Sequence, residues 1–255
     1  MLPVECIVIA LSIFARIIFI FESDNIVYNL TQSSVILMMV AAILAGNIAV
    51  LIFAVIRYYK NLFTLEGYLS FTLPVTASQH IAVKVVTAVI FDIIALITAV
   101  LAFCIAASGN FLVEFINLLE YAFSSIFKDY NKVHLVLYAV EILICLVISS
   151  FQRFLLFYSF ITIGQMAKRH KLLLAFGIYG IYTFLSGAVS TIFNIIANVV
   201  FLSPNLFGDL MDFLEKYPYL SAHISLLFTI VVSLVLGTVY YAISNIIIRK
   251  KLNLE

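Results

Sequence analysis

Apolar residues run almost unbroken along this chain, and polar residues collect between the runs rather than alternating within them. Six stretches reach the roughly 20 mostly apolar residues that a helix needs to cross a bilayer. They cover residues 2–21, 34–58, 83–107, 134–163, 173–202 and 223–248. Lipid offers the backbone no hydrogen-bond partner, so spanning segments are helices or closed barrels. A barrel needs short alternating segments, and these runs do not alternate. The pattern predicts an all-α, polytopic membrane protein with six transmembrane helices in a single transmembrane domain, residues 1–255.

The first run does not read as a cleaved signal. It has Pro3 and Glu5 in place of a basic start, carries Arg16, and ends without an obvious small-residue cleavage site. It is expected to be a retained span. Between the runs, residues 109–132 place Phe111, Phe115, Leu118, Leu119 and Ala122 on one helical face. Residues 203–221 have a similar pattern between Pro204 and Pro218. Both are expected to form short amphipathic segments at the outer interface, the alternative being plain folded loops.

Composition sharpens this picture. Of the 255 residues, 65% are hydrophobic and 11% charged, with a mean hydropathy of +1.19. Soluble domains carry about 25% charged residues, so a water-soluble fold has too little polarity to cover this chain. The net charge of +1 says nothing about nucleic acid, and no basic stripe exists to bind it, so no nucleic-acid partner is expected. Cys6, Cys104 and Cys145 fall in or near the runs without metal-ligand spacing and read as packing residues. His80, His134, His170 and His223 are scattered at span ends and read as interfacial or loop residues. No paired carboxylates or nucleophile elbow are present, so the chain does not read as an enzyme.

The basic residues set an orientation. Arg57, Lys60, Lys84, Lys168, Arg169, Lys171, Arg249, Lys250 and Lys251 fall on one side if the six spans alternate. Lys128, Lys132 and Lys216 fall on the other. The positive-inside rule then places both termini in the cytoplasm.

Charged residues within spans are costly and are functional candidates by default. Arg16, Asp92, Glu141 and Arg153 qualify. Depth, at about 1.5 Å per residue, matches Arg16 with Glu141 and Asp92 with Arg153. Two such pairs would hold the bundle together more readily than they would contact cargo. Asn47, Asn194 and Asn198 add polar groups, the last two on one helix face. Ala42 and Gly46, with Ala45 and Ala49, give the small-xxx-small spacing that lets helices approach closely.

The connection between spans two and three is long and rich in aromatics. It reads RYYKNLFTLEGYLSFTLPVTASQHIA over residues 57–82, with Glu66 beside Gly67 and a helix-breaking Pro74. Such an apolar cytoplasmic segment (59–82) needs cover, from a protein partner or from the membrane surface.

The stretch RYYKNLFTLEGYLSFTLP followed by a span resembles bacterial ABC-transporter permeases of the type-2 exporter class. ITIGQMAKRHKLLLAFGIYGI (161–181) is similar to their junction between spans four and five, and NIIIRKKLNLE (245–255) to their C-terminus. The resemblance implies a six-span permease subunit, a second permease as its homo- or heterodimer partner, and a separate ABC ATPase subunit. Asn61, Leu62, Phe63, Leu65, Glu66, Gly67, Tyr68 and Phe71 would form the main ATPase-coupling segment. Gln165, Lys168, Arg169 and Lys171 would form a second contact. No Walker motif occurs here, so ATP and magnesium would bind the partner and this chain would carry no cofactor or metal. The implied setting is the bacterial plasma membrane, among membrane lipids, with a lipophilic or peptide-like compound as exported cargo. Members of the class begin with a basic amphipathic stretch, whereas Met1-Leu2-Pro3 leads almost directly into apolar sequence. The alternative function is a non-ABC membrane protein, such as a substrate-binding subunit of an uptake system or an immunity or structural protein.

Overall fold

A computed structural model describes residues 2–20, 25–64, 67, 75–106, 113, 116–117, 120–121, 132–167, 169–201, 208 and 216–251. Six long helices make up the described chain: α1 (Leu2–Ile20), α2 (Ile26–Phe63), α3 (Ala77–Ala106), α4 (Lys132–Gly164), α5 (Lys171–Phe201) and α6 (Pro218–Lys251). No strand occurs among the described residues. The helices α2 to α6 are each long and apolar enough to cross a membrane. The 19 residues of α1 would reach about 28 Å. The architecture is that of a helical membrane protein. Of the outer segments, only Val113, Ile116, Asn117, Glu120, Tyr121, Lys132, Gly208 and Lys216 to Ser221 are described; the rest of both lies outside the described residues.

Helix boundaries follow local chemistry where hydropathy stops too early. Residues 26–33 are too polar for an apolar run, yet α2 begins at Ile26. Asn25 Oδ1 accepts from Val27 N there, a capping contact. The start of α3 is fixed by Thr76 and Gln79. Gln79 Oε1 accepts from Thr76 N at 2.9 Å, and Gln79 N donates to the Thr76 carbonyl at 3.0 Å. This reciprocal arrangement resembles a capping box and starts the helix six residues before the expected span. Pro218 stands first in α6, where its missing N–H costs nothing.

Exposed side chains say what solvent the fold needs. Phe184 on α5 is 77% exposed, and Phe176 and Phe193 beside it are nearly as open. Each such ring loses about 1.5–3 kcal/mol if left in water. Lipid removes that penalty, so the surface is built for an apolar surrounding.

The chain forms two compact units: residues 1–60 with 82–128, and residues 61–81 with 129–255. In the first unit, α1 and α2 run antiparallel. Tyr28 Oη donates to the Ile18 carbonyl at one end, and Gly46 faces Val8 at the other. A small apolar core joins Ala15, Val35, Met39 and Ala106, flanked by Ile18, Ile43 and Phe103. The Ala42/Gly46 spacing is therefore used within the chain, where Gly46 brings α2 close to α1.

In the second unit, α4 packs against both α5 and α6. Tyr138 stacks on His223, and Gln152 approaches Gly237. The two contacts advance equally along α4 and α6, so these helices run parallel. α5 returns antiparallel to α4, with Gly164 against Ala175 and Phe157 against Tyr179. Parallel α4 and α6 with α5 reversed is the arrangement that alternating spans require. Phe160, Tyr179, Tyr182 and Tyr240 fill the space among the three helices. The Tyr182 and Tyr240 hydroxyls hydrogen-bond to each other at 2.9 Å. Either Tyr→Phe change is expected to cost about 0.5–1.5 kcal/mol. The double change should cost less than the sum, because no hydroxyl is then left orphaned. A double-mutant cycle of unfolding free energies measures this, and strict additivity would mean the hydroxyls do not meet.

Candidate functional site

The last turns of α2 bury one face. Tyr58 and Leu62 are fully buried, while Asn61 and Phe63 are half-buried. Gly67 lies against this helix end: its N donates to the Thr64 carbonyl at 2.8 Å. A Cβ built on Gly67 would lie 2.5 Å from the Leu62 carbonyl oxygen and 2.7 Å from its carbon. Only glycine fits this closely against the helix end. Leu65, Glu66, Tyr68 and Phe71 lie outside the described residues.

The turn between α4 and α5 is equally close-fitting. Gln165, Met166 and Ala167 donate their amides to the carbonyls of Ile161, Ile163 and Gly164, tightening the end of α4. His170 takes φ of 55°, and its carbonyl accepts the Leu174 amide in the first turn of α5. Histidine is among the non-glycine residues enriched in this left-handed region. Arg169 and Lys171 project from the turn, exposed, while Gln165 is partly buried. Lys168 lies outside the described residues.

The two segments share a body. Residues 61–81 belong to the compact unit of α4, α5 and α6, not to the unit that holds most of α2 and α3. Tyr241 Oη on α6 donates to the Ser78 carbonyl at 3.4 Å, a long bond that ties this region to the helix. Basic Arg169, Lys171 and Arg249 lie toward this end of the unit, and Glu141 and His223 toward the opposite one.

Polar residues within the helices sort by partner. Asn47 and Asn194 donate to the carbonyls of Ile43 and Ser190 on their own helices. Asn194 is exposed on α5, and the Asn198 side chain lies outside the described residues. Arg153 is exposed, with its guanidinium 5.5 Å from the Phe154 ring. Asp92 is buried on α3, and Arg16 is half-buried on α1. Arg16 and Asp92 lie in the first unit, Glu141 and Arg153 in the second.

Glu141 has a partner that charge matching did not foresee. Its Oε2 lies 2.7 Å from His223 Nδ1, and the Tyr138 ring stacks on the imidazole at 4.1 Å and 10°. Depth matching pairs Glu141 with Arg16, which lies in the other unit, and reads His223 as an interfacial or loop residue. Parallel packing of α4 and α6 brings together groups that sequence spacing alone does not connect. Cys6 and Cys104 also depart from the packing reading, as both are exposed. Among the described residues no cluster of His, Cys, Asp and Glu could hold a metal ion.

Glu5 was missed as an intramembrane charge because it stands near the start of the sequence. Its side chain is only 7% exposed, between Thr98 of α3 and Gly46 of α2. Thr98 Oγ1 is 2.5 Å from Glu5 Oε2 and 2.9 Å from the carbonyls of Ile94 and Ala95. Glu5 Oε1 is buried without a hydrogen-bond partner. A polar residue near the first turn of an apolar helix was the available signal. Its burial shows only in its neighbours.

No family model, curated protein or solved structure matches this chain.

Proposed function

We propose that this chain is the transmembrane permease subunit of an ATP-driven ABC transporter, exporting a lipophilic or peptide-like compound. Energy would come from a separate ATPase subunit, and a second permease would complete the pore. The observation that carries the reading is the shared body of the two coupling segments. Residues 61–81 and the α4–α5 turn belong to one unit with α4, α5 and α6. A partner pushing on either segment would therefore move three long helices together. That is the mechanical link an ATPase outside the membrane needs. Gly67 lies close against Leu62, and Gly164 against Ala175, so a push at either point would meet a packed helix end. Exposed Arg169 and Lys171 offer charge to a soluble partner.

Co-purification tests this with an ATP-binding-cassette protein encoded beside the chain. A complex that hydrolyses ATP is expected from gently solubilised membranes. Replacing Glu66 and Tyr68 by alanine should release the ATPase while leaving the permease folded. Gly67→Val should do the same by lifting the segment off the end of α2. Complexes that never contain an ATPase would favour a stand-alone membrane protein.

A further inference from the structure

Glu5 and Thr98 form a site that the transporter reading does not use. Gly46 is the midpoint of the 34–58 apolar run, and Thr98 lies one turn from the middle of the 83–107 run. Glu5 meets both, so its carboxyl is enclosed among α1, α2 and α3 beside their apolar runs. An isolated ionised carboxylate is very costly in such surroundings, whereas a neutral carboxyl asks only for hydrogen bonds. The nearest charged positions on α3 and α1 are Asp92 and Arg16, about 9 Å and 16 Å further along the helix axes at 1.5 Å per residue. On α2 the facing residue is Gly46.

Hydrogen-bond counting shows what the site can hold. A threonine hydroxyl has one proton to donate, and a carbonyl can only accept. Thr98 Oγ1 lies near three acceptors: Glu5 Oε2 and the carbonyls of Ile94 and Ala95. If Thr98 donates to Glu5, the carboxylate carries its full charge. If Thr98 donates to its own helix, the short contact with Glu5 requires a proton on Glu5 Oε2, donated to Thr98 Oγ1. The two arrangements differ by one proton and by rotation of one hydroxyl. Glu5 Oε1 is sealed from solvent. A proton taken up at Oε2 needs no added space at the site.

We infer that Glu5 is a proton-binding carboxyl inside the membrane region, with Thr98 as its switching partner. Uptake converts the carboxylate to the acid at Oε2, and Thr98 turns its own proton to Ile94 or Ala95. Release reverses both. Gly46 leaves the room that Glu5 occupies. This inference does not depend on an ATPase partner.

The test uses the full chain in lipid nanodiscs. Infrared difference spectra between acid and alkaline media should contain a carboxylic-acid carbonyl band. The band should be lost in Glu5→Gln and shifted in Thr98→Val. Dicyclohexylcarbodiimide, which is lipophilic, gives a second readout. The carboxyl proton moves to a reagent nitrogen, the carboxyl oxygen adds to the central carbon, and rearrangement leaves an N-acylurea. Peptide mass should rise by the whole reagent at Glu5, and Glu5→Gln should lose that label. A spectrum unchanged by Glu5→Gln would overturn the inference. So would equal labelling of Glu5 by a water-soluble carbodiimide, because the site would then be open to water.

Discussion

Gly164→Val is expected to destabilise the purified protein by about 2–3 kcal/mol, toward the upper end of overpacking costs. A Cβ on Gly164 would stand 2.7 Å from both the Ala175 Cβ and the Lys171 carbonyl oxygen, and 3.1 Å from the Ala175 amide. Two of these neighbours are backbone atoms of the first turn of α5, which cannot rotate aside. The helices must separate, or the turn that contains His170 must open. Gly164→Ala should fall lower, at about 1–2 kcal/mol, since it adds one carbon instead of three. Ala175→Gly should rescue only part of either loss. It removes the clash with the Ala175 methyl and leaves the one with the Lys171 carbonyl. Thermal unfolding in detergent measures the series, with the three variants run beside the parent. A melting curve unchanged by Gly164→Val would mean that α4 and α5 do not meet there.

Most helices were legible because lipid imposes one rule on every residue of a span. The runs 2–21, 134–163 and 173–202 end within two residues of α1, α4 and α5. The larger departures are at α2 and α3, which begin eight and six residues before their expected spans. Hydropathy stops where Ser33 and Ser34 begin, but a helix continues as long as its backbone bonds are made. Thr76 and Gln79 start α3 by a capping contact that an apolar count does not see. The site was less legible for a different reason. Charge matching by depth treats every helix pair as equally near, and named Arg16 for Glu141. The structure brings up His223 because α4 and α6 are parallel neighbours. Glu5 escaped notice because depth was judged from chain position. Its burial comes from Gly46 and Thr98, far from it in sequence. Lone polar residues acquire meaning from packing, and packing order is the part that hydropathy leaves open.

The pair at the opposite end of the second unit should be the other sensitive point. Glu141 and His223 are 20% and 12% exposed, so each has given up most of its contact with the surroundings for the other. Glu141→Leu is expected to cost about 1.5–3 kcal/mol, the range for a hydrogen bond involving a charged group. The loss comes mainly from His223, whose Nδ1 is left without that acceptor. Glu141→Gln retains an amide oxygen at the same reach and should cost about 1 kcal/mol. Replacing both residues by leucine should cost less than the two single changes combined, because an apolar pair needs no partner. The shortfall, about 0.5–3 kcal/mol for residues in contact, measures the coupling between α4 and α6. Tyr138→Leu should cost about 0.5–1.5 kcal/mol by removing the stacked ring. Unfolding free energies in detergent supply all these terms. Strict additivity of the Glu141 and His223 changes would mean the two side chains do not share a bond. Coupling would place a polar clasp between two parallel helices. A clasp there fixes their register, since sliding either helix by one turn would separate the imidazole from its carboxylate.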